Sequence, residues 1–243
     1  MRVTPSPLDR LLKPLHRWVW QDESRRGRKL LRFAETEADG GRDLSRAAEL
    51  TRDPLLRRLY LRHSQDEHRH AELFRVRARQ VLEGARATTL EANWLSPGER
   101  GLDDLRVERE QEDALLAFLH LSEKAAAGRF ALYQSVLACD AGTREVFREI
   151  LEDEAFHMSY TRSQLARVAP RKQGVRLWQA RLSRLWKTYL RLATALASVL
   201  GTLLLRVQYF LLLPVFALLA RRAARREPEG FSASRAPDLT GQY

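Results

Sequence analysis

The sequence predicts an all-α protein built from two helical hairpins. A Glu-x-x-His pair occurs twice, as Glu67 with His70 and as Glu154 with His157, and each lies where apolar residues recur at steps of three and four. On a helix, this spacing places both side chains of a pair on one face. A single glutamate precedes each pair at nearly the same distance, and turn residues lie midway between them. We therefore expect four helices in two hairpins of similar length.

The single glutamates are Glu37, which lies 30 residues before Glu67, and Glu123, which lies 31 residues before Glu154. By distance alone, Glu35 is an alternative to Glu37. The stripe through Glu37 is apolar, whereas the stripe through Glu35 carries arginines and acids. We therefore expect Glu37 to face the interior and Glu35 to face water.

Turn chemistry lies at both midpoints. Asp53 followed by Pro54 is typical of an N-cap with proline at the first helical position. The segment 139–143 supplies a glycine break and a threonine cap. Each hairpin should therefore bring its single glutamate back level with the pair.

Carboxylates and imidazoles that face an apolar interior need compensation. Burying such a group without a partner costs roughly several kcal/mol, and a bound metal ion is one of the few remedies. The alternative is a helical bundle in which these groups form ion pairs with one another.

This pattern resembles the ligand set of the ferritin-like di-iron carboxylate proteins, the superfamily of rubrerythrin and demethoxyubiquinone hydroxylase. In that superfamily two helices give one glutamate each and two give Glu-x-x-His. The resemblance covers about residues 30–168 and implies a ferritin-like four-helix bundle that binds two iron ions, with manganese at one position as an alternative. The implied metal ligands are Glu37, Glu67, His70, Glu123, Glu154 and His157.

An aspartate precedes the glutamate of each pair, at Asp66 and Asp153. The resemblance implies that these aspartates support the site by holding a ligand histidine through its free ring nitrogen. Solvated helix residues are the alternative interpretation of both.

Other residues near the pattern have plainer interpretations. His63 and His120 each lie one turn before a predicted ligand, and we leave both outside the ligand set as hydrogen-bonded core residues. Gly40 and Gly41 indicate a close approach to the backbone beside the site, because each costs about 1 kcal/mol in a helix interior. A tight helix crossing and space for oxygen or substrate are equally open explanations.

The helices of the predicted bundle, residues 23–170, are expected at about 23–51, 54–82, 102–137 and 143–169. The segment 84–100 would be the long connection between the hairpins. A short N-terminal amphipathic helix is expected within residues 1–22, where leucines and tryptophans gather between basic residues. This helix either caps the bundle or lies on a lipid surface.

The composition changes after residue 170. Residues 171–191 form a basic amphipathic linker helix, and residues 192–220 are apolar over more than the ~20 residues that a helix needs to cross a bilayer. This segment is a C-terminal hydrophobic helix that either spans a membrane or re-enters it, and a soluble oligomerisation helix is the alternative. Residues 221–243 are basic and polar and are expected to be disordered.

Charge and cysteine content restrict the classes of function. The chain has 243 residues and a formal net charge of +11, which an anionic membrane surface explains more simply than nucleic acid does. A single cysteine excludes a disulfide framework and the four-cysteine iron site of rubrerythrins, so a separate protein or diffusible reductant would supply electrons. Residues 1–14 lack the apolar run of a signal peptide, so we expect a cytoplasmic catalytic part attached to the inner membrane.

Three functions agree with the sequence. The first is a membrane-associated di-iron oxidoreductase that activates dioxygen to hydroxylate or desaturate a lipid-soluble substrate. The second is a ferroxidase or a peroxide-reducing protein similar to rubrerythrin. The third is a non-enzymatic, membrane-tethered iron-binding protein. The partners implied are membrane lipid, dioxygen or peroxide and an electron donor, with a homodimer left open.

Overall fold

A computed structural model describes residues 4–84 and 107–225, and helices account for most of both ranges, which contain no strand. The protein is therefore all-α, as predicted. The α-helices are α1 (Pro7–Leu11), α2 (Lys13–Gln21), α3 (Glu23–Leu50), α4 (Pro54–Gly84), α5 (Glu112–Val136), α6 (Ala141–Val168), α7 (Gln173–Val207) and α8 (Leu213–Ala224). A 3-10 turn (Val107–Arg109) precedes α5, and a π-helical turn (Gln208–Leu212) precedes α8.

The four long helices α3 to α6 pack as two consecutive pairs. Helix α3 packs along α4, α5 packs along α6, and α4 also contacts α6. The turn between α3 and α4 is fixed by Asp53, whose Oδ1 accepts the backbone N–H groups of Leu55 at 2.8 Å and Leu56 at 3.2 Å. Asp53 therefore caps α4 as the sequence predicts.

The turn between α5 and α6 differs in its cap. The cap is Asp140, whose Oδ1 accepts the backbone N–H of Thr143 at 2.9 Å while Oδ2 accepts the Thr143 hydroxyl at 2.6 Å. The threonine cap expected at Thr143 is therefore wrong, because an aspartate three residues earlier already satisfies that amide and starts the helix at Ala141.

Helix α5 begins later than predicted. The helix starts at Glu112, whereas the sequence pattern placed its beginning near residue 102. Residues 107–109 form the 3-10 turn instead. The predicted connection over 84–100 lies outside the described residues apart from Gly84, and residues 101–106 are outside them as well.

Two apolar clusters fill the interior, and each of the four long helices contributes to both. One cluster includes Leu44, Leu56, Leu116, Leu119 and Leu165, and the other includes Leu30, Phe74, Phe130, Phe147 and Ile150. Along every helix, the predicted ligands lie between the residues of one cluster and those of the other. The order of residues along the chain therefore places the candidate site between the two apolar clusters.

The N-terminal segment forms two short helices rather than one. Helix α1 ends at Leu11 and α2 begins at Lys13, because Pro14 near the start of α2 has no N–H to continue the preceding helix. Trp20 at the end of α2 is 1 % exposed and contacts the rings of Tyr133 and Phe147. The segment thus packs on the long helices through Trp20, and Tyr133 belongs to this aromatic packing.

Residue contacts divide the chain into two units, Met1–Ser183 and Arg184–Tyr243. The start of α7 belongs to the first unit: Leu177 and Ala180 pack against its core, and Arg176 pairs with Asp113 at 2.8 Å. The sequence analysis assigned these residues to a separate linker over 171–191. The structure instead has one α-helix from Gln173 to Val207.

The second unit contains the apolar helix. Its large apolar side chains are exposed throughout, and the π-helical turn lies just before Pro214, where proline interrupts the hydrogen-bond ladder. Among the described residues, the helix over Gln173–Ala224 is long and apolar enough to cross a membrane. The predicted disordered tail lies outside the described residues from residue 226 onward.

Candidate metal centre

Side chains from four helices converge between the two apolar clusters. Two sets of side chains could each hold a metal ion, because the potential ligand atoms within each set all lie within 4.8 Å of one another. Glu37, Glu67 and His70 form one set, and Glu67, Glu123, His157 and His63 form the other. Glu67 belongs to both sets, so its carboxylate could serve two neighbouring ions. Five of the six predicted ligands therefore occur in these sets.

The sixth predicted ligand, Glu154, is also buried at the site. The side chain is 1 % exposed, and Glu123, Glu67 and Glu37 lie close enough for their charges to raise its pKa, after burial as the first cause. Its Oε2 is buried without a hydrogen-bond partner. Glu154 thus places a carboxylate oxygen without a hydrogen-bond partner beside the other predicted ligands.

The alternative carboxylate Glu35 lies elsewhere. Its side chain is 43 % exposed and pairs with Arg75 at 3.3 Å. Glu37, in contrast, shares a donor set with Glu67 and His70. The geometry therefore favours Glu37 over Glu35 as a ligand, in line with the choice made from the apolar stripe.

Each aspartate next to a Glu-x-x-His pair contacts the histidine of the other pair. Nε2 of His70 lies 3.0 Å from Oδ2 of Asp153, and Nε2 of His157 lies 3.2 Å from Oδ2 of Asp66. An aspartate that accepts from Nε2–H selects the tautomer in which Nδ1 carries the lone pair. The aspartate next to each pair thus holds the histidine of the other pair.

The other ring nitrogens of these histidines have no hydrogen-bond partner, although Nδ1 of His157 lies 3.7 Å from Oε1 of Glu67. Nδ1 of His70 and Nδ1 of His157 are buried and make no hydrogen bond, as is also true of Oε2 of Glu154. A buried polar atom without a hydrogen bond costs about 1–3 kcal/mol, so unsatisfied buried acceptors of this kind are rare in a folded protein. Three of them in one cluster of carboxylates fit a metal site, since Nδ1 lone pairs and carboxylate oxygens are common metal ligands.

The charges in the cluster also fit divalent metal. Burial raises the pKa of Glu37, Glu67 and Glu154, and the charges of neighbouring carboxylates raise each of them further, although a hydrogen bond with Glu37 partly offsets the rise at Glu67. Burial lowers the pKa of His157 to about 3, so this imidazole is neutral, as a metal ligand must be. Four glutamates cannot all ionise together in a dry interior unless positive charge is present. Two divalent cations would balance four carboxylates.

His63 is the residue that the sequence analysis left out of the site. Its Nε2 lies 3.0 Å from Oε1 of Glu67 and 3.5 Å from Oε1 of Glu123, and its ring stacks on His157 with centroids 3.6 Å apart. Its Nδ1 lies 2.6 Å from the hydroxyl of Tyr160, another residue that the sequence analysis missed. The i, i+4 spacing of His63 and Glu67 on one helix face was the available signal.

The remaining histidines near the pattern have structural roles. His120 donates from Nδ1 to the carbonyl of Met158 at 3.1 Å, which agrees with leaving it outside the ligand set. His68 bonds the carbonyl of Ser64 and lies so close to Gly41 that a Cβ there would come within 2.5 Å of its ring. At Gly41 the close approach is therefore a tight contact between α3 and α4.

No family model, curated protein or solved structure matches the chain.

Proposed function

We propose that this chain is a ferritin-like four-helix bundle that holds two iron ions and works as a membrane-associated oxidoreductase. In this proposal the protein activates dioxygen to hydroxylate or desaturate a lipid-soluble substrate. The unit Met1–Ser183, which we call the compact unit, lies on the cytoplasmic side of the inner membrane. Electrons come from a separate donor, since the sole cysteine, Cys139, is exposed and unpaired.

One observation carries the metal part of the proposal. Nδ1 of His70, Nδ1 of His157 and Oε2 of Glu154 are buried without hydrogen bonds inside a cluster of carboxylates. Ion pairs within the cluster, such as His63–Glu67 and His157–Asp66, do not supply hydrogen bonds to these three atoms, which supports a bound metal ion over ion pairs alone. Glu37, Glu67, His70, Glu123, Glu154 and His157 would hold the metal, and His63 lies where it would add a nitrogen ligand.

When bound, two ferrous ions would supply the electrons and coordination sites for dioxygen reduction. The protein's own part is to place and shield them. Asp66 and Asp153 fix the ligand histidines in the tautomer with Nδ1 free. The two apolar clusters exclude water, which protects a reactive oxidant from side reactions.

The substrate class follows from the second unit. A helix with exposed apolar side chains over Gln173–Ala224 supports attachment to a bilayer. A substrate dissolved in that bilayer reaches an anchored enzyme without crossing water. This supports oxidation of a lipid-soluble substrate over a soluble one.

Anaerobic loading with ferrous ion, followed by exposure to oxygen, tests the proposal. We expect two irons per chain, a coupled pair by Mössbauer spectroscopy, and incorporation of ¹⁸O from dioxygen into, or loss of hydrogen from, a membrane-extracted lipid. Oxygen consumption without any lipid product would favour a ferroxidase or peroxide-reducing protein. Absence of iron from well-folded protein would remove the metal site and the enzyme together.

A further inference from the structure

The two N-terminal helices present an apolar face to solvent. Its residues, which we call the N-terminal apolar face, are Leu8 (59 % exposed), Leu11 (75 %), Leu12 (36 %), Leu15 (52 %) and Trp18 (54 %). These positions recur at steps of three and four, so they lie on one side of the segment. Five large apolar side chains grouped on so short a segment form the kind of patch that marks an interaction surface.

The opposite side of the segment is already docked on the compact unit. Trp20 is 1 % exposed, and the ring of His16 meets the edge of Tyr133 with centroids 5.1 Å apart. Gly128 lies beneath the start of the segment, where an added Cβ would come within 3.2 Å of the carbonyl of Thr4. Because these contacts fix the rotation of the segment, the leucines cannot turn inward.

Basic residues beside the face indicate what covers it. Arg10, Lys13 and Arg17 are exposed on the same segment, and the only carboxylate there, Asp9, is partly buried near His16. A second copy of the chain would bring these cations against their own kind, which costs energy. An anionic lipid surface matches both features, because it accepts apolar side chains and attracts arginine and lysine.

We propose that the N-terminal apolar face lies in the headgroup region of an anionic membrane as a second, reversible membrane contact. The inference rests on the proposed membrane attachment of the chain. Helices of five and nine residues are too short to span a bilayer, which needs ~20 residues, so the contact is interfacial. The apolar helix anchors the chain, and this face gives the compact unit its own contact with lipid.

The test uses full-length protein in which Cys139 is replaced by serine and one environment-sensitive fluorophore is attached at a new cysteine. The three labelled variants are Leu15→Cys on the proposed contact, Leu203→Cys in the apolar helix and Arg79→Cys on an exposed part of α4. Each is reconstituted into vesicles of phosphatidylcholine, with or without phosphatidylserine, that carry quencher-labelled lipids.

With phosphatidylserine, we expect the label at position 15 to shift to the blue and be quenched by quenchers near the headgroups. The label at 203 should be quenched by deep quenchers, and the label at 79 by neither. Replacing Arg10, Lys13 and Arg17 with glutamine should weaken the interaction of position 15 with lipid about fivefold per residue removed. High salt should have the same direction of effect.

The controls separate this inference from the proposed function. If the label at 203 is quenched but the label at 15 behaves like the label at 79, the second membrane contact is wrong. The apolar helix then remains the membrane anchor. Lack of quenching at both 15 and 203 would overturn the membrane proposal as a whole. A blue shift at 15 in detergent, unchanged by lipid, would mean that a second copy or another part of the chain covers the face, and the inference would be wrong.

Discussion

The exchange of aspartates between the two Glu-x-x-His pairs makes the halves of the site depend on each other. Asp153 holds His70 and Asp66 holds His157, so neither hairpin carries a complete ligand set with its support. Arg69 extends this link, because it pairs with both Asp153 and Glu149 across the helices. We therefore expect a substitution in one hairpin to alter the predicted ligands on the other hairpin.

The carboxylates can be tested by counting metal. Glu154→Ala removes a buried carboxylate with a free donor oxygen, and we expect it to lose about one of two irons, measured by metal analysis after anaerobic loading. Glu67→Ala should lose both, since Glu67 belongs to both donor sets. Glu35→Ala is the matched control and should keep both, because Glu35 pairs with Arg75 at the surface. Iron lost in Glu35→Ala but retained in Glu37→Ala would reverse the assignment.

The aspartates can be tested by affinity. Asp66→Ala leaves every ligand in place but frees Nε2 of His157, and we expect iron affinity to fall about 10–100-fold, as is typical when the partner of a ligand histidine is removed. Competition with a chelator measures this. Glu152→Ala, which removes an exposed carboxylate on α6, the helix that carries His157, is the control. Equal affinities for the two variants would show that the His157–Asp66 contact does not support the metal.

His63 can be tested by spectroscopy. If its Nε2 binds metal, His63→Ala should change the Mössbauer parameters of one iron, whereas Tyr160→Phe should shift them only slightly, because the hydroxyl contacts Nδ1 alone. Thermal unfolding checks that both variants fold. Unchanged parameters in His63→Ala would mean that this histidine only fills the core.

Sequence reasoning succeeds at this scale where a residue type and its spacing both repeat. Glu37 could be told from Glu35 because helical periodicity separates their faces by itself. His63 could not be assigned, because a histidine on an apolar stripe looks the same whether it binds metal or a hydroxyl. Only the three-dimensional structure shows that its ring lies between the Tyr160 hydroxyl and the carboxylate of Glu123.

At the scale of elements, the start of α6 is held by a network of charges. Asp140 caps the helix and pairs with Arg26 at 2.9 Å and Arg77 at 2.7 Å. Burial raises the pKa of Asp140, but hydrogen bonds from Thr143 and the charges of Arg77 and Arg26 outweigh burial and lower the pKa overall. This network joins α3, α4 and α6 at one end of the compact unit.

The lowered pKa gives this network a defined pH dependence. Its stabilisation is complete above the unfolded pKa of about 4 and is lost as pH falls through the lower folded value. We expect Asp140→Asn to lower the free energy of unfolding by about 3 kcal/mol at neutral pH, since buried Arg26 loses its 2.9 Å carboxylate partner and keeps only the longer pair with Glu23 at 3.9 Å. In denaturant titrations, the difference from the native chain should shrink below about pH 4. Glu145→Gln, at an exposed pair with Arg148, is the control and should change little at either pH.

The ends of elements were harder to predict than the elements themselves. Four long helices followed from apolar periodicity, but the start of α5 was placed ten residues early because the pattern does not separate a 3-10 turn from a first helical turn. The cap of α6 was misassigned because Asp140 and Thr143 are both good caps in sequence. Backbone conformation decides between them.

At the scale of the whole molecule, the apolar helix and the compact unit differ in the exposure of their apolar side chains. The helices of the compact unit bury their apolar faces against one another, whereas leucines over 192–220 have exposed fractions near or above one half. Length and composition alone predicted this segment. Its boundary could not be predicted, because only tertiary contacts show that Leu177 and Ala180 pack on the core of the first unit.

The last prediction is that the apolar helix anchors the protein. Each central Leu, Ile, Val or Phe contributes about 0.3–0.6 kcal/mol to insertion, so the apolar residues of 192–220 together offset the ~2.5–3.5 kcal/mol cost of Arg206. The full chain should sediment with membranes and resist alkaline carbonate extraction. A version ending at Ser183, which keeps Leu177 and Ala180 on the core, should be soluble, helical by circular dichroism and able to bind iron. Recovery of the full chain in the soluble fraction without detergent would make the segment an assembly helix and shift the favoured function toward a ferroxidase.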